Sequence, residues 1–499
     1  MFALLFVVST IIPLACFVLS VRKVGFTFSA LSHFWYFSFI WFVSYPINAL
    51  IVYTGAIRLP RRLDAIEPHL ALALFVALLL WVCTYLGYLS VPFKLGFSTL
   101  TSSSTRKKNW LRGALLLGVS LLLLYHSLNH NVFVGGQYLG MKDRALEVSQ
   151  SRVGHGLLTI FSGIYIFVAI AALGHAMARP GRHFLLMFEK FTFAAVIAVS
   201  AFMMVAVTSR RFLLQIMVAL VVVYVVKRRW KAPLLALAVV AGTAFFAPVF
   251  QAIRYMDLMA VWEGTQTFGD QMLYLFDFDY WVSNVFSSFE SITHLAAFIA
   301  LDGWEGLIGG IDYGNSWLYH IGLGYFPRSL WADKPLHYGS IAQQLHLYPE
   351  MFFDRVLPAT LPPGIAVDFL YGFGILGALI LSYFLGRFLR VLSVDLWDPS
   401  NLSGPSRAIA LYTFVIMFNL VRGGSAYIFA IIPFVVMVAA VYGVSDLLVA
   451  VRSLVQRVFS RSSTVVGARL APVARKSNLA RGFSDGTGEV TGVIARNAL

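Results

Sequence analysis

Long apolar stretches alternate with short polar connections along most of this chain. A helix of about 20 mostly apolar residues crosses the hydrocarbon core of a membrane. By that criterion the pattern predicts about eleven spanning helices. They cover residues 1–21, 31–53, 68–91, 111–128, 154–177, 188–208, 212–226, 233–250, 364–386, 407–421 and 426–449. We therefore expect an all-α polytopic membrane protein.

Basic residues are concentrated in alternate connections between the predicted helices. They are Arg22 and Lys23; Lys94, Arg106, Lys107, Lys108 and Arg112; Arg179, Arg182 and Lys190; Lys227, Arg228, Arg229 and Lys231; and Arg387, Arg390 and Arg407. Loops rich in lysine and arginine stay in the cytoplasm, which places the N-terminus outside and the C-terminus inside. Residues 1–450 form the predicted membrane domain. Residues 451–499 form a basic cytoplasmic tail, disordered apart from a membrane-proximal helix.

One connection, residues 251–362, is far longer than the others and has the opposite charge. It contains twelve acidic and four basic residues, so the same rule makes it a large external, periplasmic loop. Within it, the aromatic run 271–300 carries Asp277, Asp279 and Glu290 at short intervals. That pattern predicts a helix lying on or near the membrane interface rather than a span.

Composition agrees with a membrane protein and excludes several function classes. Hydrophobic residues make up 59% of the chain and charged residues 12%, against about 25% charged in soluble domains. The net charge of +15 belongs to the predicted cytoplasmic face, so no nucleic-acid partner is expected. Cys16 and Cys83 both lie in apolar runs and are interpreted as packing residues. No Walker lysine loop, HExxH motif or zinc-ligand cluster occurs.

A polar stretch rich in proline and glycine lies between the late spans. It runs from Gly322 to Gly377 and contains GLGYFPRSLWADKPLHYG and LPPGIAVDFLYGFGILG. Proline and glycine at this density build irregular backbone. Asp333 or His337 within it could accept the proton of an attacking hydroxyl. The alternative for Asp333 is a loop salt bridge with Lys334 or Arg328. His320 and His346 are more typical of surface or packing histidines.

Arginines on the predicted outer side form the second group of candidates. Arginine binds phosphate through two parallel N–H groups and keeps its charge, so several of them near the outer leaflet would bind a lipid-linked diphosphate. The candidates are Arg210, Arg211, Arg254, Arg328 and Arg422. Alternatively, each extends to lipid headgroups or pairs with an acidic side chain. Asp368, about one turn into a span, is expected either to support an arginine or to favour a helix N-terminus.

On these residues the sequence resembles the Wzy-type O-antigen and capsule polysaccharide polymerases, a group of oligosaccharide repeat-unit polymerases. The similar stretches are TSRRFLLQ (Thr208 to Gln215), YFPRSLWADKP (Tyr325 to Pro335) and PPGIAVDFLYGFGILG (Pro362 to Gly377). The long outer loop between late spans is a further similarity. Arg328 and Gly339 also fit the Arg-x10-Gly spacing of such polymerases, a loose pattern that Arg152 and Gly163 satisfy as well.

The resemblance implies a glycosyl transfer at the outer face of the bacterial cytoplasmic membrane. A glycan on undecaprenyl diphosphate would be the donor, a second lipid-linked repeat unit the acceptor and the lipid diphosphate the leaving group. The five arginines would stabilise the diphosphate without a metal or cofactor. Asp333 or His337 would be the base, and Lys334 and Asp368 would support the site. Membrane lipid surrounds the protein, and a chain-length regulator protein is a candidate partner.

Several aromatic residues are candidates for stacking on sugar rings. They are Trp317, Tyr319, Tyr325 and Trp331, and interfacial packing is the alternative for each. Asp277-Phe278-Asp279 matches the DxD pattern of metal-dependent sugar transferases. No metal is expected there, because nucleotide sugars are not found outside the membrane.

Three other functions compete with polymerisation. An O-antigen ligase shares the many spans, the long outer loop and the outer arginines, but transfers the glycan to a lipid A core. A transporter or flippase of lipid-linked sugars predicts inverted repeats with interrupted helices and charges near mid-membrane. A structural scaffold of a polysaccharide export complex would leave the outer arginines without a role.

Overall fold

The computed structural model describes a helical bundle within the unit Met1–Phe459. The described residues are 1–26, 29, 32–55, 66–91, 118, 121, 133–134, 137–138, 194–195, 222, 291–321, 343, 346–347, 363–397, 404–424 and 431–459. In chain order the main helices are α1 (Phe2–Val24), α2 (His33–Tyr53), α3 (Leu70–Ser90), α4 (Ser291–Gly309), α5 (Asn315–Ile321), α6 (Ile365–Trp397), α7 (Gly404–Gly423), α8 (Ile431–Tyr442) and α9 (Val444–Phe459). A 3-10 turn, Glu67–His69, precedes α3. Two short antiparallel strands, β1 (Phe133–Val134) and β2 (Gln137–Tyr138), form a hairpin.

Four described helices are long and apolar enough to cross a membrane: α1, α2, α3 and α6. The chain is therefore an α-helical membrane protein. These helices correspond to four of the predicted spans, and α7 overlaps a fifth. The predicted spans 111–128, 188–208 and 212–226 are described only at single positions or pairs, and 154–177 and 233–250 lie outside the described residues.

The core of the bundle is the crossing of α6 over α3. Gly87 lies against the backbone of Tyr383, and Gly386 lies against the backbone of Thr84 and Tyr88. Because these two glycines have no side chains, the backbones of the two helices touch. Close packing at small residues is typical of membrane helices, since lipid is as apolar as the helix surface and no hydrophobic effect drives their association. α4 and α7 pack against other parts of α6.

The middle of α2 widens into a π-helix over Val43–Ile47. Pro46 lies inside this segment. Because proline has no N–H and its ring clashes with the preceding turn, the π geometry lets the helix continue past it. The widened turn buries Tyr45 completely and faces it towards α4 and the start of α6.

Glycines interrupt both α4 and α6. Gly303 (φ 56°, ψ −145°) and Gly374 (φ 62°, ψ −175°) leave helical geometry inside their helices, a conformation that glycine adopts without steric cost. A Cβ at Gly374 would overlap the carbonyl oxygen of Ile308 and lie 3.0 Å from the amide nitrogen of Gly310. The two interrupted regions therefore pack backbone against backbone.

The end of α6 differs from the predicted boundary at residue 386. The helix continues to Trp397, and Arg387 and Arg390 are buried within it rather than placed in a loop. Arg390 donates a hydrogen bond to the hydroxyl of Tyr88 (2.7 Å), and Arg387 donates one to the carbonyl of Val458 (2.5 Å). These partners are formed only by the fold, so charge alone misplaced the helix end. Arg407 is likewise buried, inside α7.

The predicted last span, residues 426–449, is also wrong as one continuous helix. Gly443 (φ 100°) separates α8 from α9. Asp395 of α6, almost fully buried, accepts two hydrogen bonds from Arg457 of α9, at 2.5 and 2.8 Å. α9 therefore docks on the end of α6, while its apolar residues Leu448 and Phe459 are exposed.

The described end of the predicted interfacial helix 271–300 lies inside the bundle. Residues 291–299 of α4 are all buried, and they pack against α6 and α3. The predicted helix is confirmed for these residues, and it packs within the bundle. Its position at the membrane interface stays a prediction. The acidic side chains that suggested it, Asp277, Asp279 and Glu290, lie outside the described part.

Candidate functional site

Polar side chains from four segments meet around the first turns of α6. The segments are α4, the helical residues Gln343, His346 and Leu347, the start of α6 and the end of α7. Proline and glycine at 363–364 precede α6, and the carbonyl of Gly364 accepts the N–H of Asp368 (3.1 Å). The sequence prediction that a helix begins after Pro-Pro-Gly, with Asp368 in its first turn, is confirmed.

Asp368 is buried, with 3% of its surface exposed. Its Oδ1 accepts a hydrogen bond of 2.7 Å from the side-chain amide of Gln343. Gly424 (φ 63°) lies on another side of the carboxylate. A Cβ at Gly424 would lie 2.8 Å from the Asp368 Cβ and 3.0 Å from Oδ2. The carboxylate is therefore enclosed by a hydrogen-bond donor and by backbone that has room only for glycine.

Arg422, two residues before Gly424, lies in the last turn of α7. A positive charge there is favoured by the helix dipole. Arg422 is close enough to His294 of α4 to interact with it electrostatically; burial, and after it the charge of Arg422, lowers the pKa of His294 to about 4. His294 is therefore neutral near pH 7. The glycine contact places the Arg422 turn beside Asp368, so the two predicted site residues that the structure describes lie in one region.

A second carboxylate pairs with a histidine in the same region. The Nε2 atom of His346 lies 2.9 and 3.0 Å from the two carboxylate oxygens of Asp302. The ring of His346 also contacts that of Tyr371, with centroids 5.6 Å apart. The Asp302 side chain is 14% exposed and that of His346 31% exposed. The acidic end of the pair is therefore less exposed to solvent than the imidazole end.

The helix interruptions lie directly beside this pair. Gly303 follows Asp302 in α4, and Gly374 comes three residues after Tyr371 in α6. The carbonyl of Tyr371 accepts hydrogen bonds from the N–H groups of Ile311 (2.7 Å) and Asp312 (3.0 Å). Backbone from one interrupted helix region thus bonds to the other, which fixes the position of Tyr371 against the pair.

Hydroxyl groups line the inner side of the region. A Cβ at Gly364 would lie 2.9 Å from the hydroxyl of Ser291 and 3.2 Å from that of Tyr45. Ser291 and Tyr45 are both buried. Gly364 therefore lets the start of α6 approach the π-helical turn of α2, and the interior of this end of the bundle is polar.

Most of the predicted site residues fall outside the described part of the chain. This applies to Asp333, His337, Lys334, Arg210, Arg211, Arg254 and Arg328, and to the aromatic residues Tyr325 and Trp331. The backbone of Tyr319 is described but not its side chain. Trp317 packs against Phe369 and Phe373, with ring centroids 5.6 Å away in each case. Protein packing therefore covers part of the surface that was predicted to stack on sugars.

Sequence reasoning missed the partners that give the region its chemistry. Asp302 is 44 residues from His346, and Gln343 is 25 residues from Asp368, so no local motif links them. His346 had been ranked as a surface or packing residue. The described residues contain no group of three or more histidine, cysteine or acidic side chains that could hold a metal ion.

Comparison with known proteins gave no match. No family model, no curated protein and no solved structure matches this chain. The resemblance to Wzy-type polymerases therefore rests on the quoted stretches of sequence. The polar region brings together the turn that carries Arg422, the buried carboxylate of Asp368 and the partly exposed imidazole of His346.

Proposed function

We propose that the protein is a polysaccharide polymerase that joins undecaprenyl-diphosphate-linked oligosaccharide repeat units at the outer face of a bacterial cytoplasmic membrane. The observation that carries the proposal is the proximity of the Arg422 turn to buried Asp368 at one end of a membrane-helix bundle. A fixed guanidinium stabilises a leaving diphosphate. A membrane location gives access to a lipid-linked substrate.

The chemistry needs little beyond fixed charges and a proton acceptor. An acceptor sugar hydroxyl attacks the anomeric carbon of the donor, and the bond from that carbon to the diphosphate breaks. Arg422 binds the departing diphosphate, joined in the proposal by Arg210, Arg211, Arg254 and Arg328. Because arginine keeps its charge and binds phosphate through two N–H groups, no metal or cofactor is needed for this step.

The proposal also includes the transmembrane arrangement. About eleven spans, with the N-terminus outside and the C-terminus cytoplasmic, would place residues 251–362 and the start of α6 on the outer side. The order of elements around the polar region is compatible with this. Gly364 and Asp368 begin α6, so the start of α6 follows directly after residues 251–362 in the chain. The loop and the start of α6 would then face the lipid-linked glycan.

A second candidate function is transport of lipid-linked sugars across the membrane. The observation that favours it is the pair of interrupted helices, α4 at Gly303 and α6 at Gly374, which meet beside polar side chains. Secondary transporters bind substrates at such interruptions. The polymerase proposal assigns the same breaks a different role, as the frame that holds Tyr371 and the acidic residues in place.

Substitution of Arg422 in a strain lacking the chromosomal gene tests the proposal. We expect R422A to reduce long-chain glycan by about 10²–10³-fold, the usual effect of removing one fixed donor to a developing anion. R422K is the matched control for structure, because it keeps the positive charge at the helix end but loses two-pronged phosphate binding. Membrane levels of each variant are measured beside wild type.

The surface glycan, separated on a gel, distinguishes the alternatives. A single repeat unit in both variants supports polymerisation with Arg422 on the diphosphate. Long chains that remain on undecaprenyl diphosphate indicate a ligase. Loss of all outward-facing lipid-linked sugar indicates a transporter. Unchanged chain length with R422A and R422K would show that Arg422 only terminates α7.

A further inference from the structure

The Asp302–His346 pair has the internal arrangement of an oriented general base. Only Nε2 of His346 faces the carboxylate, at 2.9 and 3.0 Å from its two oxygens. A neutral imidazole has one N–H and one lone pair. The carboxylate can only accept a hydrogen bond, so it selects the form with the proton on Nε2. The lone pair of Nδ1 is then available for a proton from another molecule.

The pair lies next to the Asp368–Arg422 region rather than at a separate place. Gln343 and His346 are three residues apart, and both are helical. Their partners on α6, Asp368 and Tyr371, are also three residues apart. At a rise of about 1.5 Å per residue, the two contacts follow one another along α6 with a separation of about 5 Å. The imidazole is therefore about one helical turn from the Asp368 carboxylate.

We propose that His346 is the catalytic base of the glycosyl transfer and that Asp302 is its positioning residue. This inference rests on the proposed polymerase function and replaces Asp333 and His337 in the role of base. The O–H bond of the acceptor sugar breaks, and its proton moves to Nδ1 of His346. The acceptor oxygen bonds to the anomeric carbon. The bond from that carbon to the diphosphate oxygen breaks, and its electron pair leaves with the diphosphate.

The charged and titratable groups around His346 fit this role. Asp302 of α4 supplies the negative charge that stabilises the imidazolium after proton transfer. Tyr371 of α6 packs its ring against the imidazole, and Asp312 acts electrostatically on the same tyrosine. The carboxylate of Asp302 therefore lies beside a ring that becomes positive during the reaction. The imidazole keeps about a third of its surface accessible.

A purely structural role for the pair gives a different expectation for one substitution. If the pair only holds His346 against α4, a side chain that still donates a hydrogen bond to Asp302 should suffice. H346Q provides such a donor through its amide but cannot take up a proton. We therefore expect H346Q to fold and to lose about 10²–10⁴-fold in turnover, the usual contribution of a general base.

The test uses full-length protein in nanodiscs and the lipid-linked oligosaccharide extracted from the deletion strain. Turnover is followed by the release of lipid diphosphate over a range of substrate concentrations, with wild type, H346Q, D302N, D333N and H337Q. We expect H346Q to lower kcat and leave KM unchanged, because its amide cannot take up the acceptor proton. D302N should also lower kcat with KM unchanged, because the carboxylate no longer holds the proton of the imidazole on Nε2.

The outcomes separate this inference from the function on which it rests. If wild type does not convert the extracted lipid, the polymerase proposal fails. If wild type is active and H346Q has equal turnover, His346 is not the base. A selective loss in D333N or H337Q would assign the base to that residue instead. A fall in kcat with unchanged KM in H346Q and D302N, together with wild-type turnover in D333N and H337Q, supports the inference.

Discussion

Adding a methyl group at Gly386 tests whether backbone contact between α3 and α6 organises the bundle. A Cβ at this position would overlap the carbonyl oxygen of Thr84 and lie 2.8 Å from the amide nitrogen of Tyr88. Both obstacles are backbone, so no side-chain rotation relieves them. The helices must separate, and overpacking of this kind costs about 1–3 kcal/mol or more. Alanine recovers up to about 1 kcal/mol through its better helix propensity.

We therefore expect G386A to reduce the free energy of unfolding by about 1–2 kcal/mol net. G309A is the matched control, because a Cβ at Gly309 meets nothing within 4 Å. G87A should behave like G386A, since a Cβ at Gly87 would overlap the carbonyl of Tyr383. Once one substitution has separated the helices the second costs less, so the double variant should fall short of additivity by about 1 kcal/mol.

The assay follows the two cysteines of the chain with a thiol-reactive fluorescent dye during heating in detergent. Cys16 and Cys83 are both partly buried in the folded protein, so the dye reports the opening of α1 and α3. A melting temperature of G386A equal to or above that of wild type would contradict the backbone contact between α3 and α6. An equal decrease in melting temperature for G386A and G309A would also contradict it, because the effect would then not depend on the crossing of α3 and α6.

Three further substitutions test other contacts of the fold by the same assay. G374A should lower the free energy of unfolding by about 1–3 kcal/mol, because alanine is strained at the backbone angles of this helix break. A G374A variant as stable as wild type would contradict the interruption of α6 at Gly374. D395N should lower the free energy of unfolding by about 1–2 kcal/mol. This is less than for a fully buried charged hydrogen bond, because the Arg457 side chain is more than a third exposed. Equal protease sensitivity of α9 in D395N and wild type would contradict the docking of α9 through this contact. W81F removes the N–H that bonds to the Ser38 hydroxyl at 3.0 Å and should cost about 1 kcal/mol. S38A should then add little to W81F, and full additivity would show that the bond contributes nothing.

Hydrophobic pattern was sufficient to predict where the described spans begin. α2 and α3 begin within two residues of the predicted positions, and α6 begins one residue after the predicted residue 364. These boundaries are local properties, set by Ser32 as an N-cap in α2 and by Pro-Gly before α6. Local signals of this kind are present in the sequence itself.

Boundaries that depend on distant partners could not be predicted in the same way. The arginines of α6 appeared to mark a loop because their partners, Tyr88 and the carbonyl of Val458, are far away in sequence. The break at Gly443 was hidden because both α8 and α9 are apolar on at least one face. Charge counting assumes that each charge faces water, and a buried, hydrogen-bonded arginine does not.

The candidate site was predictable only in part, for the same physical reason. Asp368 could be selected because a carboxylate about one turn into a membrane helix is costly unless it is paired or functional. Arg422 could be selected because basic residues are disfavoured on the predicted outer side and arginine binds phosphate. His346 could not be selected, because its importance comes from Asp302, which lies on another helix. Gly424 and Gly303 gave no signal at all, since their role is to allow close backbone approach and a helix break.

The most direct test of polymerisation uses purified wild-type protein in nanodiscs with lipid-linked oligosaccharide extracted from the deletion strain. The products are separated by size, and released lipid diphosphate is measured in parallel. We expect chains of two or more repeat units, with one lipid diphosphate released for each bond formed and without added metal. Unchanged oligosaccharide in nanodiscs, with movement of the same lipid across liposomes containing the protein, would contradict polymerisation and identify a transporter.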